Sequence, residues 1–441
     1  MSKDPIEVIA SREHYIYSAR KDQIAINILG WHGGREYVEE RLSRFPGESS
    51  IDWDGGSRSD GSEITGRKEQ SHVIPHLNRI VNKINQHVFY KPPQRSLNDD
   101  IASDISNDGK SIDDLMIKAN SYLSVTGWCW LGIDAPNLDP EQQISIADKK
   151  NLKIRPYWQI YSPLSVVDWK ISDNGVIEWL ITEGYDYIAS DPFIEASEVK
   201  YRKLWMPDKI IKYYYSDTDT NTIEKTEEIS TNYNRVPFVL IGDASVEPVA
   251  FDDMESINRT ILDLESVNRA NFYNCVFPQL QIPKSVLDTV VQSFQTTAEE
   301  AVHMIMGLKY PILLSPNDAP ANFLMPDSSA IGSVREEIKG LKTELYDSIG
   351  LLLRKDTNMA ESAESKTIDL MDINALLAER ANILEDAEKK AIKISNEWDK
   401  DFPIYEVVYN KAFSFSEEDL NNEKVIEEVQ EQKILSEESK E

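Results

Sequence analysis

The sequence predicts an α+β fold, from three observations. Residues 152–242 hold short aromatic and β-branched runs separated by Gly, Pro and Asp-Asn-Gly signals, the pattern of an antiparallel sheet. Residues 251–400 hold long stretches of helical periodicity. The two characters follow one another along the chain, with no internal repeat, so strands and helices segregate.

The elements follow in order. Residues 1–50 mix helix and loop, with REYVEERLSRF helical and closed by Pro46-Gly47. Residues 50–70 are rich in Gly, Ser and Asp and read as a loop. A helix is expected from about Pro75 to Tyr90, where Ile80, Ile84 and Val88 share a face and Pro75 suits the first turn. Ser111 opens S-I-D-D, a hydroxyl N-cap with an acid three residues on, and the helix it starts carries Leu115, Met116, Ala119 and Leu123 to Gly127. WCWLGIDAP is a buried strand. In the strand block that follows, Asp173-Asn174-Gly175 is a hairpin turn.

From Phe251 a helix carries Met254, Ile257, Ile261 and Leu264 on one face and runs to about Asn274. A small mixed unit follows: strand QLQIP, a helix from Val286 to about Ile305, strand YPILLSP, and NFLMPD as a further strand. The next helix places Ile331, Val334, Ile338, Leu341, Leu345, Ile349 and Leu352 on one stripe. RKDTNMAESAES is a polar loop. A helix from about Thr367 to Lys400, a strand IYEVVYNKAF and an acidic helical tail complete the chain.

Length allows two or three domains, and no apolar run approaches the eighteen residues of a membrane span. MSKDPIEVIASREHY lacks the apolar core of a secretory signal, so a cytoplasmic protein, or one assembled there into a particle, is expected. Cys129 and Cys275 sit in apolar contexts far apart, as buried free thiols do. The net charge of −29 opposes a sequence-reading DNA binder, which needs a basic face. It is compatible both with ordinary solubility and with an acidic wall that surrounds DNA without gripping it.

Catalytic signatures are missing. Gly61–Gly66 has the glycine spacing of a phosphate loop, but Arg67 stands where lysine is needed and Lys68 where Ser/Thr would hold Mg²⁺. His72 and His76 are four apart with Pro75 between them, and packing or helix-start roles suit them better than a metal. Asp217, Asp219, Asn221 and Glu228 match part of a calcium loop, but Thr222 replaces its glycine and the flanks are strand-like, so a hairpin loop is expected. The aromatic residues of 152–215 fit a sheet core rather than a stacking surface. Asp113-Asp114 and Asp252-Asp253 lie at helix starts, where acids complement the dipole. No catalytic residue, metal or cofactor is expected.

The order helix, small α/β unit, periodic helix, polar loop, long helix resembles the portal protein family of tailed bacteriophages. The pieces here are FDDMESINRTILDLESVNRANFYN, VFPQLQIPKS through LSPNDAPANFLMPD, SSAIGSVREEIKGLKTELYDSIG, LLRKDTNMAESAESK and TIDLMDINALLAERANILEDAEKKAIKISNEWDKDF. KANSYLSVTGWCWLGID, PYWQIYSPLSVVDW and VIEWLITEG resemble the portal wing. The resemblance covers about residues 75–415 and rests on element order and phrases such as LESVNRA and LQIPKS.

It implies a wing over 1–250, a first stem helix over 251–276, a clip over 277–327, a second stem helix over 328–353, a tunnel loop over 354–366, a long helix and return strand over 367–414, and a short acidic crown or tail over 415–441. It further implies a dodecameric ring at one capsid vertex of the virion, passing double-stranded DNA without sequence specificity. Its partners would be the terminase large subunit, then the head–tail adaptor, with the major capsid and scaffolding proteins, and no membrane. Arg354, Lys355, Asp356, Asn358, Met359 and Lys366 are expected at the tunnel loop, where phosphate contact and an ordinary solvated loop are both open. Arg335, Lys339 and Lys342 are expected to face the channel, and Gln279, Gln281, Lys284, Asn317 and Asp318 to form the clip's docking surface. The alternative is a head–tail adaptor or minor capsid protein without a DNA channel. An enzyme with a metal at the acidic pairs is a third reading.

Overall fold

The computed structural model describes residues 5–57, 63–97, 99–136, 153–188, 197–216, 223–231, 233–276, 279–281, 322–324, 329–348 and 363–413, with isolated positions between 288 and 297. These fall into two compact units. One comprises residues 1–32, 75–256 and 346–441; the other comprises 33–74 and 257–345. The division near residue 256 lies beside the change of character seen in the sequence at 250. Residues 33–74, which sequence order places with the N-terminal half, cluster instead with 257–345.

The helices of the first unit are α1 (Pro5–Ser11), α2 (Tyr15–His32), α6 (His76–Val88), α7 (Asp99–Ala102), α8 (Ile112–Thr126), the start of α9 (Ala250–Val276) and α11 (Ala363–Trp398). The second unit holds α3 (Gly34–Arg41), α4 (Ser50–Asp54), α5 (Arg67–Gln70), the rest of α9, and α10 (Ser329–Asp347). Its strands are β1 (Gly55–Ser57), β2 (Glu63–Thr65), β12 (Gln279–Gln281) and β13 (Asn322–Leu324).

The first unit is built on two antiparallel sheets. One has the order β11 (Phe238–Gly242), β4 (Trp128–Asp134), β5 (Tyr157–Tyr161). The other has the order β10 (Ile223–Ser230), β9 (Lys209–Tyr215), β8 (Ser197–Trp205), β7 (Ile177–Ile188), β6 (Val166–Ile171). β4 is buried on both faces for six residues. On one face Cys129 lies against the Ala119 carbonyl of α8, and the Trp158 indole of β5 donates to Ser395 of α11 at 2.9 Å. On the other, Trp128 and Trp130 join Trp169, Leu180, Trp205, Ile210 and Phe238 in an aromatic core between the sheets. Edge-to-face pairs recur there, Trp130–Trp169 at 5.4 Å and Trp205–Phe238 at 5.0 Å. Each such pair adds about 0.5–1.5 kcal/mol beyond its buried area. Trp158, Trp169 and Trp205 are thus core, while Tyr185 and Tyr187 of the same block are exposed.

Local signals set the elements. The Ser111 hydroxyl accepts from the Asp114 N–H while the Asp114 carboxylate accepts from the Ser111 N–H, a complete capping box. Gly127 closes that helix in the left-handed region at φ 85°, where a Cβ would stand 2.8 Å from Val249 Cγ1. Asp173-Asn174-Gly175 joins β6 to β7, with Gly175 at φ 74°.

Two expectations are corrected. Residues 50–70 are not a plain loop: α4, β1, β2 and α5 occupy most of them. Gly66 permits a close backbone crossing, since a Cβ there would fall 2.3 Å from the Gly55 nitrogen. The C-terminal strand shrinks to β14 (Val407–Val408) paired with β3 (Gln94–Arg95). Tyr405, Val407 and Tyr409 keep the alternation, facing inward, but the two-residue partner limits the ladder.

The inward side of this return segment carries a buried ionic knot. The Glu388 carboxylate, fully buried on α11, accepts from Arg95 Nε at 2.6 Å, Arg95 Nη2 at 3.0 Å, Tyr405 OH at 3.1 Å and Tyr409 OH at 2.8 Å. Arg95 also reaches Asp113 at 2.7 Å. Burial alone would lower the Arg95 pKa; its ion pair with Glu388 holds it above the ordinary value. Burial, and then the Glu388 charge, push both tyrosine hydroxyls up.

Candidate functional site

The second unit carries the two helices that flank residues 277–327. α9 enters that segment and α10 leaves it. β12 and β13 pair antiparallel, Gln279 with Leu324 and Gln281 with Asn322, so the two ends of the segment are stitched together. Lys342 of α10 donates to Glu265 of α9 at 2.7 Å. Glu265 lies eleven residues before the end of α9 and Lys342 thirteen after the start of α10, so the ion pair ties the two helices at comparable distances from the segment they flank.

Residues 258–266 of α9 are tied to the 33–74 segment by polar contacts. Asn258 donates to the Tyr37 hydroxyl at 3.1 Å, and Asp263 accepts from the Ser43 N–H at 2.8 Å. Arg259 reaches the Arg41 carbonyl at 3.2 Å and the Ser43 hydroxyl at 3.1 Å. Ser266 accepts from Arg67 Nη1 at 2.6 Å. Arg67 is the centre of this attachment. Its Nε and Nη2 hold both Glu48 oxygens at 2.7 Å, Nη2 also reaches the Ser43 carbonyl, and its guanidinium lies 4.5 Å from the Phe45 ring and 4.8 Å from Trp53. Its hydrogen bonds to Glu48 hold that carboxyl below the usual range, against the opposing effect of burial. The arginine that breaks the phosphate-loop pattern is therefore engaged as a packing group.

α10 has the opposite character. Ile338 and Leu345 are buried, and Ile331, Val334 and Leu341 are half-buried on the same stripe. The remaining surface is exposed, with two basic residues, Arg335 and Lys339, among four acids, Glu336, Glu337, Glu344 and Asp347, and with Gly332 and Gly340 leaving it thin. Of the three bases expected there, Arg335 and Lys339 are exposed. Lys342, one residue from Leu341 and three from Leu345, borders the buried stripe and is tied to Glu265.

The other expected positions divide as follows. Gln279 and Gln281 lie in β12, and Lys284, Asn317 and Asp318 lie outside the described residues. Arg354, Lys355, Asp356, Asn358 and Met359 also lie outside them. Lys366 belongs to α11, which starts at Ala363, four residues earlier than the periodicity indicates.

Residues weighed for chemistry are engaged in packing. His72 lies against Arg269 in the second unit. His76 contacts the Tyr346 hydroxyl at 3.1 Å in the first. Asp252 holds Arg20 through both oxygens, at 2.7 and 3.1 Å, and accepts from Asn27 at 2.7 Å. Asp113 pairs with Arg95, and Asp114 caps α8. Glu228 pairs with Lys209 across the β9–β10 hairpin, whose loop at 217–222 lies outside the described residues. Among the described residues no group of three or more His, Cys, Asp or Glu is placed to hold a metal, and no helix is long and apolar enough to cross a membrane. Sequence reasoning missed the Arg67 and Arg95 clusters, since their partners lie up to 314 residues away.

Residues 284–399 match a family model described as a domain of unknown function, DUF4055. No curated protein matches the chain. Among solved structures, it is similar to a chain of the virion of a native gene transfer agent particle, at 11% identity and TM-score 0.41, over 76% of this chain and 80% of that one. It is similar also to a chain of the neck of an empty particle of that agent, computed with C6 symmetry, at 10% identity and TM-score 0.41, over 76% and 81%.

Proposed function

We propose that the chain is a portal subunit: a non-enzymatic protein whose copies form a dodecameric ring around a channel for double-stranded DNA at a capsid vertex of a virion. One observation carries the reading. Two helices joined by an ion pair bracket a segment stitched at its base; α10 keeps a long polar face uncovered, while α9 is tied over residues 258–266 to residues 33–74. A ring subunit needs that division, one helix for the pore and one for packing.

The exposed face of α10 carries more acid than base. A duplex passing such a wall is repelled along most of its length and touched at few points, which keeps it mobile, because phosphate contacts dominate non-specific affinity. Arg335 and Lys339 supply those points, together with Arg354 and Lys355. Residues 277–327 form the clip, which docks the terminase large subunit during packaging and the head–tail adaptor afterwards. The wing meets major capsid and scaffolding proteins. ATP hydrolysis belongs to the terminase.

Two-dimensional class averages of the purified full chain test this. A ring with a central hole wide enough for a duplex is the expected result. A monomer or filament instead favours a head–tail adaptor or minor capsid role, and Mg²⁺-dependent cleavage of DNA by the purified chain would restore an enzymatic reading.

A further inference from the structure

The buried cations of the first unit are matched to carboxylates: Arg20 to Asp252, Arg95 to Glu388, Arg202 to Glu183 and Lys212 to Asp186. Two half-buried cations of that unit form no ion pair among the described residues: Lys203, which lies over the Tyr201 and Trp205 rings, and Arg380 of α11, which has no such ring contact among them. The Arg380 Nη1 is shut off from solvent without a hydrogen-bond partner. Burial lowers its pKa to about 10, and the neighbouring Glu379 only partly offsets that effect. An arginine stays charged at any physiological pH, so it cannot escape by losing its proton. A desolvated charge without a counter-ion is costly and is retained where a partner completes it.

The surroundings of Arg380 indicate where the partner comes from. Leu376, Arg380 and Ile383 form a half-buried stripe at i, i+4 and i+7 on α11. An arginine recessed between two aliphatic side chains is the composition of an interface centre rather than of a solvated helix face. The chain carries 76 acidic residues against 47 basic ones, so another copy of it offers carboxylates in excess. A recessed guanidinium suits one fixed carboxylate better than a phosphate backbone sliding past.

We propose that Leu376, Arg380 and Ile383 form a contact surface for a second copy of this chain, and that a carboxylate of that copy supplies the ion pair Arg380 lacks among the described residues. The inference rests on the ring assembly proposed above. The test compares the full-length wild type with Arg380→Met and Arg380→Lys. Dilution in mass photometry gives the concentration at which rings dissociate, and melting of the separated monomer gives its own stability. For Arg380→Met the dissociation midpoint rises by about 10-fold or more, the scale of an interface hot spot. The monomer melts no lower than wild type, because a charge left unpaired in the monomer has been removed. Arg380→Lys, which keeps the charge and loses the fork, falls between. Rings of Arg380→Met that persist at wild-type dilution overturn the inference, as does a monomer that loses stability, which would place the partner within the same chain. Intact rings that retain less DNA would assign Arg380 to phosphate and overturn it equally. A wild type that forms no ring at any concentration removes the assembly reading itself, an outcome distinct from these.

Discussion

Replacing Glu388 by Gln tests the ionic knot of the first unit. The substitution keeps the shape of the side chain but removes its charge and turns one acceptor oxygen into a donor. Four donor contacts converge on the wild-type carboxylate, two from Arg95 and one each from Tyr405 and Tyr409. The carboxamide oxygen can serve one or two of them; the others face an NH₂ group. Arg95 is almost fully buried and retains only Asp113, whose side chain is 42% exposed and therefore a weaker counter-ion. Breaking a buried pair from one side costs about 3–5 kcal/mol. The surviving Asp113 contact places the expected loss near the lower end, about 3 kcal/mol. For a unit of this size that corresponds to a fall in Tm of roughly 6–12 °C. Thermal unfolding followed by circular dichroism, with urea unfolding as a second measure, reads the change. The paired substitution Arg95→Met with Glu388→Leu removes both charges and should recover part of the loss, because the desolvation penalty disappears with them. A fall in Tm below about 2 °C for Glu388→Gln, or a double variant no better than the single, would refute the claim that this carboxylate anchors the return segment.

In the second unit, Arg67→Met leaves the largely buried Glu48 carboxylate without its counter-ion, and a loss of about 3 kcal/mol is expected in urea unfolding; Arg67→Lys should fail to rescue it, lacking the fork. Gly127→Ala forces a left-handed residue and meets Val249, so a loss of at least about 1–2 kcal/mol is expected from the melting curve. The pH dependence follows from Glu48, whose folded pKa lies below its ordinary value. Its contribution is complete above the ordinary carboxylate pKa of about 4.3 and disappears as pH falls through the lowered folded value. Stability should therefore stay level from pH 7 to about 5 and drop below about 4, and Glu48→Gln should flatten that acid limb. A stability curve that drops instead between pH 7 and 5 would point to a different titrating group.

Signals confined to a few neighbouring residues could be read directly. The capping box at Ser111 and Asp114, the stop at Gly127 and the turn at Asp173-Asn174-Gly175 each depend on residues within five positions, and each forms as its chemistry requires. The stripe of Ile331, Val334, Ile338, Leu341 and Leu345 was legible for the same reason, since helical geometry alone decides that they share a face. Residues 33–74 show where such reading stops. Their attachment to α9 consists of polar contacts spanning some two hundred residues, Arg67 to Ser266 and Ser43 to Asp263, which leave no periodicity in the sequence. Gly66 was visible as a glycine, yet its reason, a backbone crossing at Gly55, exists only in three dimensions.

Lys342 sharpens the point for the proposed channel. Arg335, Lys339 and Lys342 recur at i, i+4 and i+7, so the sequence treats them as one basic row. Their separation comes from the stripe beside them: Lys342 borders Leu341 and Leu345 closely enough for Glu265 of α9 to capture it, while Arg335 and Lys339 turn further away. A captured lysine holds two helices together and offers little to a phosphate. Charge reversal at Lys339 should therefore alter DNA retention in assembled particles without affecting the fold, whereas Lys342→Glu should set two carboxylates against each other and loosen the helix pair. If both substitutions changed DNA retention equally and left the melting temperature untouched, the division between a pore-facing helix and a packing helix would be wrong.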